Sequence, residues 1–335
     1  MRGGTARHSR FRLRAALGYE GGVQNPPCPG CGGSQFSPLP DSEFGAYHLA
    51  RCTECGHVAT RPEPDAADLA ALYGQEYYGG PEHRRFKGPL EGLTTLFRRW
   101  RGWYIARKLP RGTVIDVGCG RGLLLDELRR RGWKVIGTEL SDEAAEYARD
   151  FLGIPMKIGE FHRLDLAPGS ADVVVMWQTF EHMREPNAVL QRVHQVLRQG
   201  GVAIVSVPNR ESWQARFTGT HWHHLDVPHH LHHYGESTLR RMLERQGFRV
   251  ERVEHFNTEQ NPFGWLQSLL NMMSPAGSNA LFRALQNDPA GNGGRRRMPL
   301  SSAVALPLLA PVSLGLAAVE SLAHRGGTVT LWATK

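Results

Sequence analysis

The run Val114-Ile115-Asp116-Val117 leads straight into Gly118-Cys119-Gly120-Arg121-Gly122 and then into Leu123-Leu124-Leu125 with Leu128. An apolar run of this length, bounded by glycines, fits a parallel strand buried on both faces. The leucines that follow supply the stripe of a helix packing back on the sheet. Three glycines in the intervening turn remove side chains where the backbone reverses and where a ligand would lie against it. Their GxGxG spacing differs from the GxGxxG of dinucleotide folds. Taken alone, such a turn is a weak signal, since a strand-to-helix connection that holds no ligand also takes this form.

The next unit adds weight. Trp133 to Gly137 has the composition of a second strand and ends at Thr138-Glu139-Leu140-Ser141, where Ser141 can cap a helix carrying Glu143 and Glu146 in its early turns. A carboxylate at the tip of a second strand, about 20 residues beyond a glycine loop, is placed to accept hydrogen bonds from a ribose diol. Glu139 is the candidate. The alternation continues with strands expected over Met156–Gly159, Asp172–Trp177, Val202–Val207, Arg249–Phe256 and Thr328–Ala333, and helices over Ala188–Leu197, closed by Gly200-Gly201, and Thr238–Gln246. The fold class is therefore α/β, a doubly wound, mostly parallel sheet of seven strands.

Four of the five cysteines form two CxxC knuckles, Cys28/Cys31 and Cys52/Cys55, each followed by glycine. The spacing suits a tetrahedral Cys₄ zinc site, and four thiolates leave the ion no open position, so its role is structural. A pair of disulfides is the alternative and needs an oxidising compartment. The first 24 residues hold five arginines and one acid but no apolar stretch typical of a secretory signal, which favours zinc and a cytoplasmic location. Cys119 sits inside the glycine turn and is expected to be a small packing residue rather than a nucleophile.

A chain of 335 residues, 41% apolar and 21% charged, accommodates one large or two modest domains. We expect a disordered basic tail over 1–24, a zinc-binding module over 25–62, a helical lid or linker over 63–110, a core over 111–256, an apolar helical insert over 257–326 and a final core strand over 327–335. The net charge of +8 is concentrated in the tail and in nine Lys or Arg residues between Arg84 and Arg111, against the single acid Glu91. That run suits an anionic substrate, a membrane surface or RNA, or simply a solvated helix face.

Seven of the sixteen histidines crowd into His221–His233. Imidazoles and Asp226 there are potential ligands for zinc, iron or nickel, although no two-histidine-plus-carboxylate spacing stands out. Within the insert, Pro299–Val319 carries no charge and is long enough to cross a bilayer. Its flanking strands belong to one sheet, so both ends must remain on one side. A helical hairpin broken near Pro307–Pro311 satisfies that condition, either dipping into a membrane interface, capping a lipophilic substrate, or packing on the domain or a second subunit. Asn287–Arg297 is expected to be a loop.

VIDVGCGRG, VIGTELS, the Ser170–Val175 strand with Glu181-His182, and Leu197–Gly201 with Val207-Pro208-Asn209 resemble, in order, the motifs of class I S-adenosylmethionine-dependent methyltransferases. The likeness covers roughly residues 90 to 256 and the last strand, and it implies a Rossmann-like fold. It also implies a cofactor cradle drawn from Asp116, Gly118, Cys119, Gly120 and Gly122, with Glu139, Leu140, Glu160, Phe161 and Gln178. The knuckles followed by Pro62-Glu63-Pro64 and Tyr77-Tyr78 resemble the N-terminal zinc segment of bacterial methyltransferases acting on sugars and other small metabolites, which implies a lid bearing Tyr78 near the cofactor. Trp222, Leu225-Asp226, Pro228, His230-Leu231 and His233-Tyr234 resemble those relatives' substrate loop.

The function expected is methyl transfer to oxygen or carbon of a small acceptor such as a sugar, polyketide or lipid-linked metabolite, with His182 and His230 as candidate bases and the remaining loop histidines facing solvent. An RNA methyltransferase gripping nucleic acid through the zinc module and the basic run is the nearest alternative, but the long apolar insert argues against it. A non-catalytic scaffold is a third reading, against which the intact glycine loop and Glu139 weigh. Peripheral membrane contact through 299–319 and oligomerisation are the partner expectations.

Overall fold

The computed structural model describes residues 26–64, 68, 86, 89–273, 279–286 and 298–335. The tail, Tyr77, Tyr78 and Asn287–Arg297 lie outside the described residues. After the first cysteine knuckle come three antiparallel strands, β1 (Phe36–Phe44), β2 (Tyr47–Cys52) and β3 (Val58–Arg61). A 20-residue helix, α1 (Pro89–Lys108), then leads into the main sheet.

That sheet begins with β4 (Thr113–Val117), α2 (Leu123–Arg130), β5 (Lys134–Glu139), α3 (Asp142–Glu146) and β6 (Met156–Ile158). It continues with β7 (Ala171–Trp177), α4 (Pro186–Val196), β8 (Leu197–Pro208) and α5 (Trp213–Thr218). The two-residue strand β9 (His232–His233) precedes α6 (Glu236–Arg245) and β10 (Arg249–Glu254). Helices α7 (Gln260–Met273), α8 (Ala280–Leu285) and α9 (Leu300–Leu322) intervene before β11 (Thr328–Thr334). The seven-stranded order is β10-β11-β8-β7-β4-β5-β6, with β4 to β8 parallel and β11 antiparallel to both neighbours.

Strand alternation builds the two layers. In β7, Val174 and Met176 join Val205, Val207 and Leu331 in one apolar cluster, while Val173 and Val175 turn to the other face with Val114, Ile204 and Trp332. Both faces are covered, which is why a central stretch such as Val173–Met176 of β7 runs apolar without alternation. Helix α4 closes the first face through Val189, Leu190, Val193 and Val196, and α2 closes the second through Leu124, Leu125 and Leu128. Ser141 caps α3, its hydroxyl accepting from the Ala144 amide at 3.3 Å.

Three expectations need correction. Gly200 and Gly201 do not end a helix: α4 stops at Val196 and the chain passes directly into β8, where Leu197 already pairs with Ala171. The segment around Pro307 and Pro311 is not a broken hairpin but one continuous 23-residue helix. Proline removes a backbone donor and crowds the preceding turn, yet the chain stays helical through both Pro307 and Pro311. Nor do most of the loop histidines face solvent: His221 is exposed and His223 and His229 are half-buried, but His224, His230, His232 and His233 are buried. β9 pairs with β3, placing His232 opposite Ala59 and His233 opposite Val58. This pairing makes β1-β2-β3-β9 a second sheet that fastens the cysteine module to the histidine loop.

Candidate active site

The carboxyl ends of β4, β5 and β7 open onto a cavity of about 990 Å³ lined by the glycine loop, Glu139, Gln178 and the histidine loop. Ligands in doubly wound sheets occupy this crevice because the strand order reverses there. Its volume lies at the upper end for ligand pockets, enough for a cofactor and a second molecule.

The loop backbone is held by the neighbouring strand: the Gly118 and Cys119 amides donate to the Thr138 carbonyl at 2.9 and 3.2 Å. Gly118 has φ of +68°, and a Cβ there would sit 2.6 Å from the Thr179 methyl, so glycine is required. Gly120, at φ +54°, meets no atom within 4 Å in its Cβ direction, which leaves that face open to a ligand. The Gly120 amide donates to Glu139 Oε1 at 2.6 Å and the Leu140 amide to Oε2 at 3.3 Å. Burial raises the Glu139 carboxyl, and these two amides oppose the shift.

Asp116 is fully enclosed behind the loop. Burial pushes its carboxyl up to about 7; the Arg101 guanidinium opposes this and the Glu139 charge adds to it. Arg101 lies 4.1 Å above the Trp177 ring and pairs with Glu259 at 3.1 Å, so this member of the basic run points into the protein. Arg121 stacks at 4.3 Å on Tyr147 and is paired with Glu91. None of these four contacts was apparent in the sequence, since their partners come from separate elements.

The other predicted residues distribute as follows. Leu140 is exposed at the cavity edge, and Glu160 reaches Arg163 at 3.0 Å. The Phe161 side chain belongs to the core, leaving its backbone for any ligand contact. Cys119 packs its thiol 3.9 Å from the Met156 sulfur, and burial holds that thiol well above its ordinary range. Gln178 adopts φ +55°, a conformation rare outside glycine, and its Nε2 is buried without a hydrogen-bond partner among the described residues. An open glycine face, a carboxylate at the second strand tip and an unsatisfied amide donor together fit a nucleoside cofactor. Tyr78 lies outside the described residues.

At the far end of the cavity, the His182 and His230 rings approach to 4.7 Å edge to face. His182 Nδ1 donates to the His229 carbonyl at 2.9 Å, and His230 Nδ1 donates to the His224 carbonyl at 2.8 Å. Both bonds select the tautomer with its lone pair on Nε2. Burial drives the His182 imidazole down to about 3 and also lowers His230, so both rings are neutral at pH 7. Beside them lies Glu181, fully buried, which sequence reasoning had left out of the site.

The histidine loop is supported from two sides. Thr60 Oγ1 lies 3.1 Å from His233 Nε2 and His57 Nε2 lies 3.2 Å from His232 Nδ1, both from the cysteine module. On the insert side, the His223 amide donates to Ser268 Oγ at 2.9 Å, and Asn271 Nδ2 to the His221 carbonyl at 3.0 Å.

The four cysteine sulfurs cluster within 4.8 Å of one another, with Cys28 to Cys55 and Cys31 to Cys52 each 3.5 Å. A tetrahedral ion with metal–sulfur bonds of about 2.3 Å separates its ligands by roughly 3.8 Å, so the quartet fits. Arg245 and Asn187 hold the first knuckle on the core through the carbonyls of Gly30 and Pro29.

A methyltransferase-domain family matches residues 82–253, about half of the 335-residue chain. A probable S-adenosylmethionine-dependent methyltransferase of Mycolicibacterium smegmatis is 30% identical over 176 residues, 49% of this chain and 66% of its own length. A ubiquinone biosynthesis O-methyltransferase of Cupriavidus pinatubonensis is 27% identical over 222 residues, 63% of this chain and 87% of that protein. The chain thus spans just under two thirds of the first relative. The solved structure of a methyltransferase from Archaeoglobus fulgidus has a TM-score of 0.47 at 18% identity, covering 80% of this chain and 100% of that one. With the glycine loop and the 6-7-5-4-1-2-3 order of the sheet, numbering its strands from β4, the match assigns this chain to the class I S-adenosylmethionine-dependent methyltransferases.

Proposed function

We propose that this methyltransferase modifies a hydroxyl oxygen of a small acceptor bearing an apolar tail, working at a membrane surface, with a structural zinc ion in the cysteine module. S-adenosylmethionine supplies an electrophilic methyl group on a sulfonium. The glycine loop, Glu139 and Gln178 bind and orient it, and Asp116 provides negative charge behind the loop. At the other end of the cavity the neutral imidazoles of His182 and His230 offer Nε2 lone pairs to the acceptor's hydroxyl proton.

The pair of imidazoles, each fixed by a backbone carbonyl in the accepting tautomer, is the observation that carries this reading. General-base assistance of this kind is worth ~10²–10⁴-fold. Relatives named as ubiquinone biosynthesis O-methyltransferases support oxygen as the acceptor atom.

The apolar tail and the membrane are argued from α9. Leu300, Val304, Leu308 and Leu314 are 80, 68, 73 and 60% exposed, far more apolar surface than a helix facing water normally carries. Its carboxyl end is anchored, since the Gly327 amide donates to buried Glu320 at 2.9 Å one residue before β11. A helix tied down there lies along an interface rather than crossing it. Arg295, Arg296 and Arg297 precede it in the sequence and match the charge of anionic lipid.

The test is methyl transfer from labelled S-adenosylmethionine to phenolic and sugar hydroxyls carrying a polyprenyl or acyl tail, presented in vesicles, against the same head groups without tails. Label recovered as a methyl ether, with turnover dependent on the tail, is expected. Label on carbon, or equal turnover without the tail, contradicts the proposal.

A further inference from the structure

Glu181 raises a question that methyl transfer alone does not answer. It is fully buried, yet neither carboxylate oxygen has a hydrogen-bond partner in any other described residue. Leaving such a group unpaired is costly, and buried carboxylates are ordinarily hydrogen-bonded, ion-paired or bound to a metal. The nearest polar atom is His230 Nε2, 3.9 Å from Oε1. That separation is too long for a hydrogen bond, for which about 2.7–3.2 Å is needed. It is close to the spacing of two donors on one ion, since bonds of about 2.0–2.2 Å set neighbouring ligands roughly 3–3.5 Å apart.

His182 completes the set: one donor atom each from Glu181, His182 and His230 lie within 4.8 Å of one another. Both histidines are oriented as metal ligands usually are, with Nδ1–H on a backbone carbonyl and Nε2 directed away from it. Glu181 and His182 are neighbours in the turn after β7, and His230 arrives from the histidine loop, held there by the bond from the Leu231 amide to the Glu181 carbonyl at 3.0 Å. The three donors all line the cavity's far wall.

We propose that Glu181, His182 and His230 bind a divalent transition-metal ion, separate from the cysteine site, with open positions facing the acceptor. Two imidazoles and one carboxylate suit Fe²⁺, Co²⁺, Ni²⁺ or Zn²⁺ rather than Mg²⁺ or Ca²⁺, which favour oxygen ligands throughout. The role of the ion rests on the reading of this wall as the acceptor site. An acceptor hydroxyl whose oxygen binds the ion loses its proton to water; the oxygen then forms the O–CH₃ bond as the S–CH₃ bond breaks, and S-adenosylhomocysteine leaves. In this state the imidazole lone pairs serve as ligands, and the ion takes over the acidification that a free base would otherwise provide.

The site is tested on full-length protein whose cysteine module is already loaded with zinc, by titrating Co²⁺ and following visible absorption and metal content. The expected result is one further equivalent of cobalt with d–d bands and no thiolate charge transfer, bound at least tenfold more weakly by both Glu181→Gln and His230→Gln. No second equivalent in the zinc-loaded protein overturns the proposal, as does cobalt bound equally well by both variants. Should either variant fail to fold, electron paramagnetic resonance of Cu²⁺ on the unaltered protein reads the same ligands: coupling to two imidazole nitrogens supports the site and fewer than two refutes it. Metal content is measured without turnover, so failure of the ion and failure of the acceptor reading are distinguishable.

Discussion

At the scale of single residues, the cofactor end of the cavity turns on Glu139 and Asp116. Removing the Glu139 carboxylate forfeits charge-assisted hydrogen bonds worth about 1.5–3 kcal/mol each. Glu139→Ala is therefore expected to weaken S-adenosylmethionine binding by about 30-fold or more, whereas Glu139→Gln keeps an oxygen for the Gly120 amide and preserves the loop. Asp116 makes the same end sensitive to pH. Its folded pKa of about 7 lies above the ordinary 3.8, so burial favours the protonated form. The sign follows: this group leaves the unliganded protein most stable below about pH 4, and its contribution declines as pH rises toward 7. A cationic ligand prefers the ionised carboxylate. Affinity for S-adenosylmethionine, measured by calorimetry between pH 5.5 and 8, should rise with pH by up to about tenfold per unit below 7. Asp116→Asn should flatten that dependence, and the uncharged product S-adenosylhomocysteine should show less of it.

Residues brought together by local spacing were legible in the sequence. The glycines, Glu139 and the four cysteines belong to short motifs, and strand order alone carries Gly118, Glu139 and Gln178 to one crevice. Glu181, His182 and His230 were not legible as a set. Two come from the turn after β7 and the third lies 48 residues on, in a loop whose position depends on the β3–β9 pairing. The buried state of His232 and His233 has the same origin, since a two-residue strand surrounded by histidines carries no periodicity.

At the scale of elements, the cysteine module and α9 make separable predictions. The module shapes the acceptor end through the pairing of β3 with β9. Substituting Cys52→Ser, which removes one of the proposed zinc ligands, should abolish acceptor turnover while leaving S-adenosylmethionine affinity within about twofold, because distant sites are nearly additive. Calorimetric melting should show the module's transition shifted down separately. For α9, Val304→Lys with Leu308→Lys replaces two exposed apolar contacts, each worth about 1.5–3 kcal/mol if buried in lipid. Binding to anionic vesicles should fall at least tenfold in sedimentation, with the melting temperature little changed because both positions are on the surface. The length and apolarity of this helix were plain from the sequence. Its continuity was not, because prolines that normally end a helix are here carried within it, and Gly200-Gly201 misled in the opposite sense by suggesting a helix end inside β8.

At the scale of the whole molecule, two sheets cooperate. The seven-stranded sheet positions the cofactor end, and the small sheet with the helical insert clamps the histidine loop over the other. The polar side chains of α7, Ser268 and Asn271, hold that loop, so the insert is part of the acceptor site's framework as well as the carrier of α9. The central claim is that one cavity seats S-adenosylmethionine on the glycine loop with its ribose at Glu139. Titration calorimetry of zinc-loaded protein with S-adenosylmethionine and S-adenosylhomocysteine, repeated on Glu139→Ala, tests it most directly. Dissociation constants on the order of micromolar, weakened about 30-fold in the variant, are the predicted result. Equal affinity in the variant, or no binding by folded protein, would contradict it.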